Sequence, residues 1–75
     1  MQTLPKMNER LANCLKEKRN MLDMTQAELA EAVGVTRKTV NTVENGVFVP
    51  SALLALKLAR ALGEPVEGLF WLSAA

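Results

Sequence analysis

Polar side chains rich in hydrogen-bond donors occupy one short stretch of the sequence, and they are Arg37, Lys38, Asn41, Thr42 and Asn45. Val40 and Val43 stand among them at a helical spacing, so the two valines share a buried face and leave the polar residues outside. Guanidinium, ammonium, amide and hydroxyl groups bind phosphates and base edges, and the major groove of DNA admits a single helix. This pattern favours nucleic-acid binding.

Catalytic and metal chemistry finds little support in the 75 residues. The chain has no histidine, no phosphate-binding loop and no paired carboxylates on one helix face. Because the chain has no histidine, nothing of that kind could activate Cys14 as a nucleophile, and because Cys14 is also the only cysteine, the usual zinc clusters are excluded. We expect no enzyme activity, no cofactor and no metal.

Charge and hydropathy indicate a small intracellular protein. The net charge is only +1, but basic residues concentrate in residues 1–19 and 36–60 and acidic residues in 20–35 and 61–75. Such blocks are often merely solvated faces. No signal peptide is recognisable, and the apolar segment 52–62 is interrupted by Lys57 and Arg60 and is too short to span a bilayer. We expect a cytoplasmic location and no membrane partner.

The elements that would position the polar residues read as five short helices, which predicts an all-α domain over residues 7–75 after a flexible arm at residues 1–6. The sequence leaves open whether translation starts at Met1 or Met7. The first helix is predicted from about residue 8 to residue 22. The second helix is predicted to begin at a capping box and the third at a threonine. The fourth is predicted from residue 51 to residue 63. The fifth is predicted from residue 65 onward, and it includes Leu69, Phe70 and Trp71. The only strand-like run, Val47–Val49, ends at Pro50.

The central segment resembles a known family. QAELAEAVGVTRKTVNTVENG is similar to the helix-turn-helix of the Cro and lambdoid-phage repressor family, also called the Xre family. Characteristic positions are matched in register by Gln26, Ala30, Gly34, Val40 and Val43. The resemblance implies a five-helix, lambda-repressor-like domain that binds double-stranded DNA, with its third helix in the major groove.

The resemblance also implies roles for individual residues. Arg37, Lys38 and Thr42 match base-reading positions, with Asn41 beside them, although all four could instead be solvated. The expected backbone contacts, some of which are also helix caps, come from Gln26, Thr25, Thr36 and Asn45. Arg19 and Glu44 match an internal ion pair that would brace the third helix; otherwise both are ordinary surface charges.

An apolar surplus remains after the core is filled. Leu53 and Leu56 lie off the inward face of the fourth helix, and Phe70, Trp71 and Leu72 crowd the end of the chain. We interpret these five residues as a homodimer interface, although Trp71 could fold back as a lid on a monomer. No small-molecule effector is implied.

The leading hypothesis is therefore a transcriptional regulator, acting as a repressor on a near-palindromic operator. Two alternatives stay open. The chain could be the antitoxin of a toxin–antitoxin pair, with a toxin as its partner, or a protein-interaction module that does not bind DNA.

Overall fold

The computed structural model describes residues 9–74. A strand, β1 (Glu9–Asn13), is followed by the helices α1 (Leu15–Met21), α2 (Gln26–Val33), α3 (Arg37–Glu44), α4 (Ala52–Leu62) and α5 (Val66–Leu69), and by a final strand, β2 (Phe70–Ala74). The predicted arm at residues 1–6 lies outside the described residues.

Helix ends follow the signals in the sequence. Thr25, Thr36 and Ser51 cap α2, α3 and α4, each accepting the backbone N–H three residues on. Gly34 has φ of 76°, a left-handed conformation that ends α2 and lets the chain turn at once into α3. The tight turn between α2 and α3 was therefore predictable from local residues.

The prediction of an all-α fold is wrong at both ends of the described chain. Residues 9–13 form a strand rather than the first turns of a helix, and α5 stops at Leu69, where Phe70 takes extended backbone angles. The two strands pair antiparallel, with Leu11 opposite Leu72 and Asn13 opposite Phe70. We call this pair of strands the terminal ribbon. The strand-like run Val47–Val49 forms no strand.

The core lies where the five helices and the base of the terminal ribbon meet. Its fully buried side chains are Leu15, Leu29, Val40, Val43, Leu58 and Leu69. Phe70 is also buried, at 8% exposure, and belongs to this core. Burial of Val40 and Val43 fixes which side of α3 faces inward, and so which side faces solvent.

Candidate nucleic-acid interface

The outer face of α3 is open to solvent. Arg37, Lys38 and Asn41 are exposed and Thr42 is half-buried, whereas Val40 and Val43 are at most 2% exposed. The structure thus brings the four residues expected to read bases onto one side of one helix. No described segment of the chain covers the guanidinium of Arg37 or the ammonium of Lys38.

Two of these polar residues are partly engaged within α3 itself. The Thr42 hydroxyl donates to the Thr39 carbonyl at 2.9 Å, and the Asn45 side-chain amide donates to the Asn41 carbonyl at 2.9 Å. Thr42 therefore retains its oxygen lone pairs and its methyl group for an outside contact, and Asn45 retains one amide hydrogen. Asn45 is also the C-cap of α3, directly after its last residue.

The start of α2 carries a complete capping box. The Thr25 hydroxyl accepts the Glu28 N–H at 3.0 Å, and the Glu28 carboxylate accepts the Thr25 N–H at 2.8 Å. Two hydrogen bonds with Thr25 hold the pKa of the Glu28 carboxyl below its usual range. The bond from the Thr25 backbone N–H has the larger effect, and the bond involving the Thr25 side chain has the smaller one. Because its N–H is engaged, Thr25 can offer a phosphate only its hydroxyl hydrogen, while the first N–H groups of α2 have no helical partner.

A buried cluster of charged and polar groups ties α3 to α1 and α2. Arg19 Nε lies 2.7 Å from Glu44 Oε2, and the two side chains are 9% and 2% exposed. Arg19 Nη1 also donates to the Met24 carbonyl at 2.7 Å. The ion pair that the sequence led us to expect is therefore present, and it joins the last turn of α3 to α1.

Gln26 belongs to the same cluster. Its Nε2 donates to Glu44 Oε1 at 3.0 Å, which links the first residue of α2 to the last residue of α3. An amide nitrogen carries two hydrogens, so Gln26 can brace Glu44 and still donate one hydrogen outward. Within residues 9–74, no buried side-chain nitrogen or oxygen lacks a hydrogen-bond partner.

The residues expected at a dimer interface divide into two groups. Leu53, Leu56, Trp71 and Leu72 are exposed, at 64%, 57%, 46% and 69%. Phe70 is the exception, because it packs in the core of its own chain and offers little surface to a partner. Trp71, at nearly half exposure, is not buried as a lid would be.

Sequence reasoning missed two features beside this surface. The segment Val47–Val49, between α3 and α4, exposes three large apolar side chains. With the terminal ribbon it bounds an open groove of about 600 Å³, into which Phe48 and Leu11 both face. The second feature is Asn13, which bonds to the end of α3. The apolar run was visible in the sequence, but its exposure was not.

The described part of the chain offers neither a membrane span nor a metal cluster. None of its helices has the length and hydropathy needed to cross a membrane. Between residues 9 and 74, no three His, Cys, Asp or Glu residues cluster in a way that could hold a metal ion.

Comparison with known proteins identifies the family. Residues 15–69 match the helix-turn-helix family model, which is most of the chain. The chain belongs to the Xre-type helix-turn-helix family. Its members are DNA-binding transcriptional regulators rather than enzymes.

Individual members of the helix-turn-helix family support this assignment. An uncharacterized HTH-type transcriptional regulator of Bacillus subtilis, YgzD, is 47% identical over 62 residues, which are 83% of this chain and 94% of YgzD. The crystal structure of the restriction-modification controller protein C.AhdI from Aeromonas hydrophila superposes with a TM-score of 0.69 at 35% identity, covering 72% of this chain and 82% of that one. The antitoxin HigA-1 of Vibrio cholerae is 48% identical over 52 residues, 69% of this chain but only 47% of HigA-1.

Proposed function

We propose that this chain is a sequence-specific transcriptional repressor that binds a near-palindromic operator as a homodimer. The observation that carries the proposal is the outer face of α3, which presents Arg37 and Lys38 to solvent while Val40 and Val43 hold the helix on the core. A helix held in this way can enter a major groove without unfolding any part of the domain.

Base reading is assigned to four residues of α3. The Arg37 guanidinium can donate two hydrogen bonds to guanine O6 and N7, a contact that supplies roughly 1–3 kcal/mol of discrimination against other bases. Lys38 reads a neighbouring acceptor. One turn further, Asn41 presents its amide and Thr42 presents its methyl group to thymine, because the Thr42 hydroxyl hydrogen is already bonded to Thr39.

Phosphate contacts are assigned to the starts of α2 and α3. Gln26, Thr25 and Thr36 lie at these two helix ends, where free N–H groups and the helix dipole attract an anion. Asn45 adds a contact at the far end of α3. These contacts set the position of the domain on the duplex, whereas the α3 side chains choose the sequence.

The homodimer is supported by the apolar side chains that the isolated chain leaves exposed. Phe48 lies beside Leu53, and it also faces the groove under the terminal ribbon. Exposed apolar side chains thus lie on the terminal ribbon, in Val47–Val49 and on α4, where Leu53 and Leu56 are about one turn apart. To bind the two half-sites of a near-palindromic operator, such a dimer would have to hold its two copies of α3 about 34 Å apart, one helical turn of DNA. Occupying a promoter in this way excludes polymerase.

Binding selected from random DNA tests the proposal. We expect a near-palindromic consensus and a log affinity that falls steeply with log salt concentration. Arg37→Ala should relax the preference at one base pair of each half-site, whereas Gln26→Ala should weaken all sites alike. Arg60→Ala, which removes the same charge from an exposed position on α4, is the control and should leave the preference intact. A flat salt response would instead favour a protein-interaction module.

Sedimentation tests the dimer. Leu53→Glu combined with Leu56→Glu should shift the chain to monomer at micromolar concentration and weaken operator binding. Met21→Glu is the control, because Met21 is 74% exposed and lies on α1 rather than on α4 or the terminal ribbon. A wild-type chain that stays monomeric both free and on DNA would overturn this part of the proposal.

A second candidate function is an antitoxin that represses its own operon. The similarity to HigA-1 favours it, although this chain spans about half the length of that protein. The exposed apolar surface would then hold a toxin. A neighbouring gene whose small, growth-arresting product forms a stable complex with this chain would establish the antitoxin, and its absence would leave the repressor.

A further inference from the structure

We infer that Asn13 is a positioning residue that fixes the angle of α3 against the rest of the domain and thereby sets base preference. The inference rests on the proposed function, since it concerns how α3, the helix proposed to read bases and here called the reading helix, is held in place. The side-chain hydrogen bonds that Asn13 makes to α3 go to backbone carbonyls and not to the side chains of its outer face.

The side chain of Asn13 bridges two helices. Its Nδ2 donates to the Val43 carbonyl at 3.1 Å and lies 3.5 Å from the Glu44 carbonyl, while its Oδ1 accepts the Leu15 N–H at 3.0 Å. The nitrogen faces two acceptors and the oxygen faces a donor, so the partners themselves fix the orientation of the amide. One amide thus joins the last turn of α3 to the first turn of α1.

Asn13 is itself held firmly. It is the last residue of β1 and pairs with Phe70 of β2, which is buried. The next residue, Cys14, donates its N–H to the Leu69 carbonyl at 3.0 Å. The side chain of Asn13 therefore links the position of the terminal ribbon to the carboxyl end of α3.

Two separate ties hold that end of α3. The Glu44 carboxylate is held by Arg19 and Gln26, whereas the backbone carbonyls of Val43 and Glu44 are held by Asn13. A helix of eight residues is about 12 Å long, so a shift of about 1 Å at one end tilts it by roughly 5°. Hydrogen bonds to bases weaken steeply when their distance and angle are disturbed, so such a tilt is felt first in base preference.

If Asn13 had only a structural role, it would stabilise the start of α1 by accepting the Leu15 N–H and would not affect base preference. The two roles separate in Asn13→Asp, because a carboxylate still accepts the Leu15 N–H but cannot donate to Val43. Asn13→Ala loses both bonds. Ala61→Gly is the control for stability, because glycine weakens the interior of α4 without removing a bond to α3.

The experiment measures melting temperature and the affinity ratio between the selected site and its single-base variants. We expect Asn13→Asp to lose about tenfold of this ratio at the base pairs read by Asn41 and Thr42, which lie nearest the released end of α3. Asn13→Ala should lose as much with a lower melting temperature. Ala61→Gly should melt lower and keep the wild-type ratio. If Asn13→Asp does not fold, Asn13→Ser replaces it, since a hydroxyl can still cap α1.

Wild-type base preference in Asn13→Asp, or an equal loss in Ala61→Gly, would overturn the inference and leave the proposed function standing. A wild-type chain without base preference would overturn the proposed function, and the role of Asn13 with it.

Discussion

Replacing Arg19 by methionine should remove a large part of the stability of this domain. The change leaves the Glu44 carboxylate, 2% exposed, with Gln26 as its remaining side-chain donor. An uncompensated buried charge costs about 3–5 kcal/mol, and the Met24 carbonyl loses its bond as well, at about 1 kcal/mol. A chain of 75 residues is stabilised by about 4–11 kcal/mol in total, so Arg19→Met should lose between about a third of this free energy of unfolding and all of it.

Urea unfolding, monitored by circular dichroism, measures the loss. An unchanged dependence of the free energy of unfolding on urea concentration checks that only the stability has changed. Adding Glu44→Leu to Arg19→Met should recover most of the loss, because an apolar pair needs no counter-charge. The control, Arg60→Met on the exposed side of α4, should stay within about 0.5 kcal/mol of wild type. A loss under about 1 kcal/mol in Arg19→Met, or no recovery in the double variant, would refute the reasoning.

Three further predictions concern the other elements. The lowered pKa of Glu28 means that its carboxylate stabilises α2 fully at pH values above the ordinary pKa near 4.5, and that this stabilisation is lost as the pH falls through the lowered pKa. Glu28→Gln should therefore abolish this part of the acid dependence of the melting temperature, and an unchanged dependence would contradict the prediction. Gly34→Ala should cost about 1–2 kcal/mol in urea unfolding because φ there is 76°, and a neutral result would contradict the strain. Val40→Ala should cost about 2 kcal/mol by opening the core beneath α3, which equal midpoints would disprove.

The centre of the fold was predictable because its signals are local. Thr25 and Glu28, three residues apart, indicate the start of α2, and Gly34 and Thr36 indicate the turn into α3. The valines of α3 then decide which side chains face outward. Each of these inferences depends on residues within about two helical turns of one another. Over that distance, residue spacing and backbone preference determine the local structure.

The terminal ribbon was not predictable in the same way. Leu11 and Leu15 stand four residues apart, which suits a helix, but Leu11 lies in β1 and Leu15 in α1. The strand exists because residues 9–13 pair with residues 70–74, and no local window contains both partners. The burial of Phe70 and the bond from Asn13 to Val43 depend on the same distant pairing, so the sequence could not show them.

Pairing the first described strand with the last sets an order on biosynthesis. The helices can collapse as they leave the ribosome, but β1 has no strand to join until residues 70–74 have been made. A message truncated before Phe70 would yield helices without the ribbon, and the hold of Asn13 on the reading helix would lack its foundation. The hold on the end of α3 therefore depends on residues 70–74, which lie far from it along the chain.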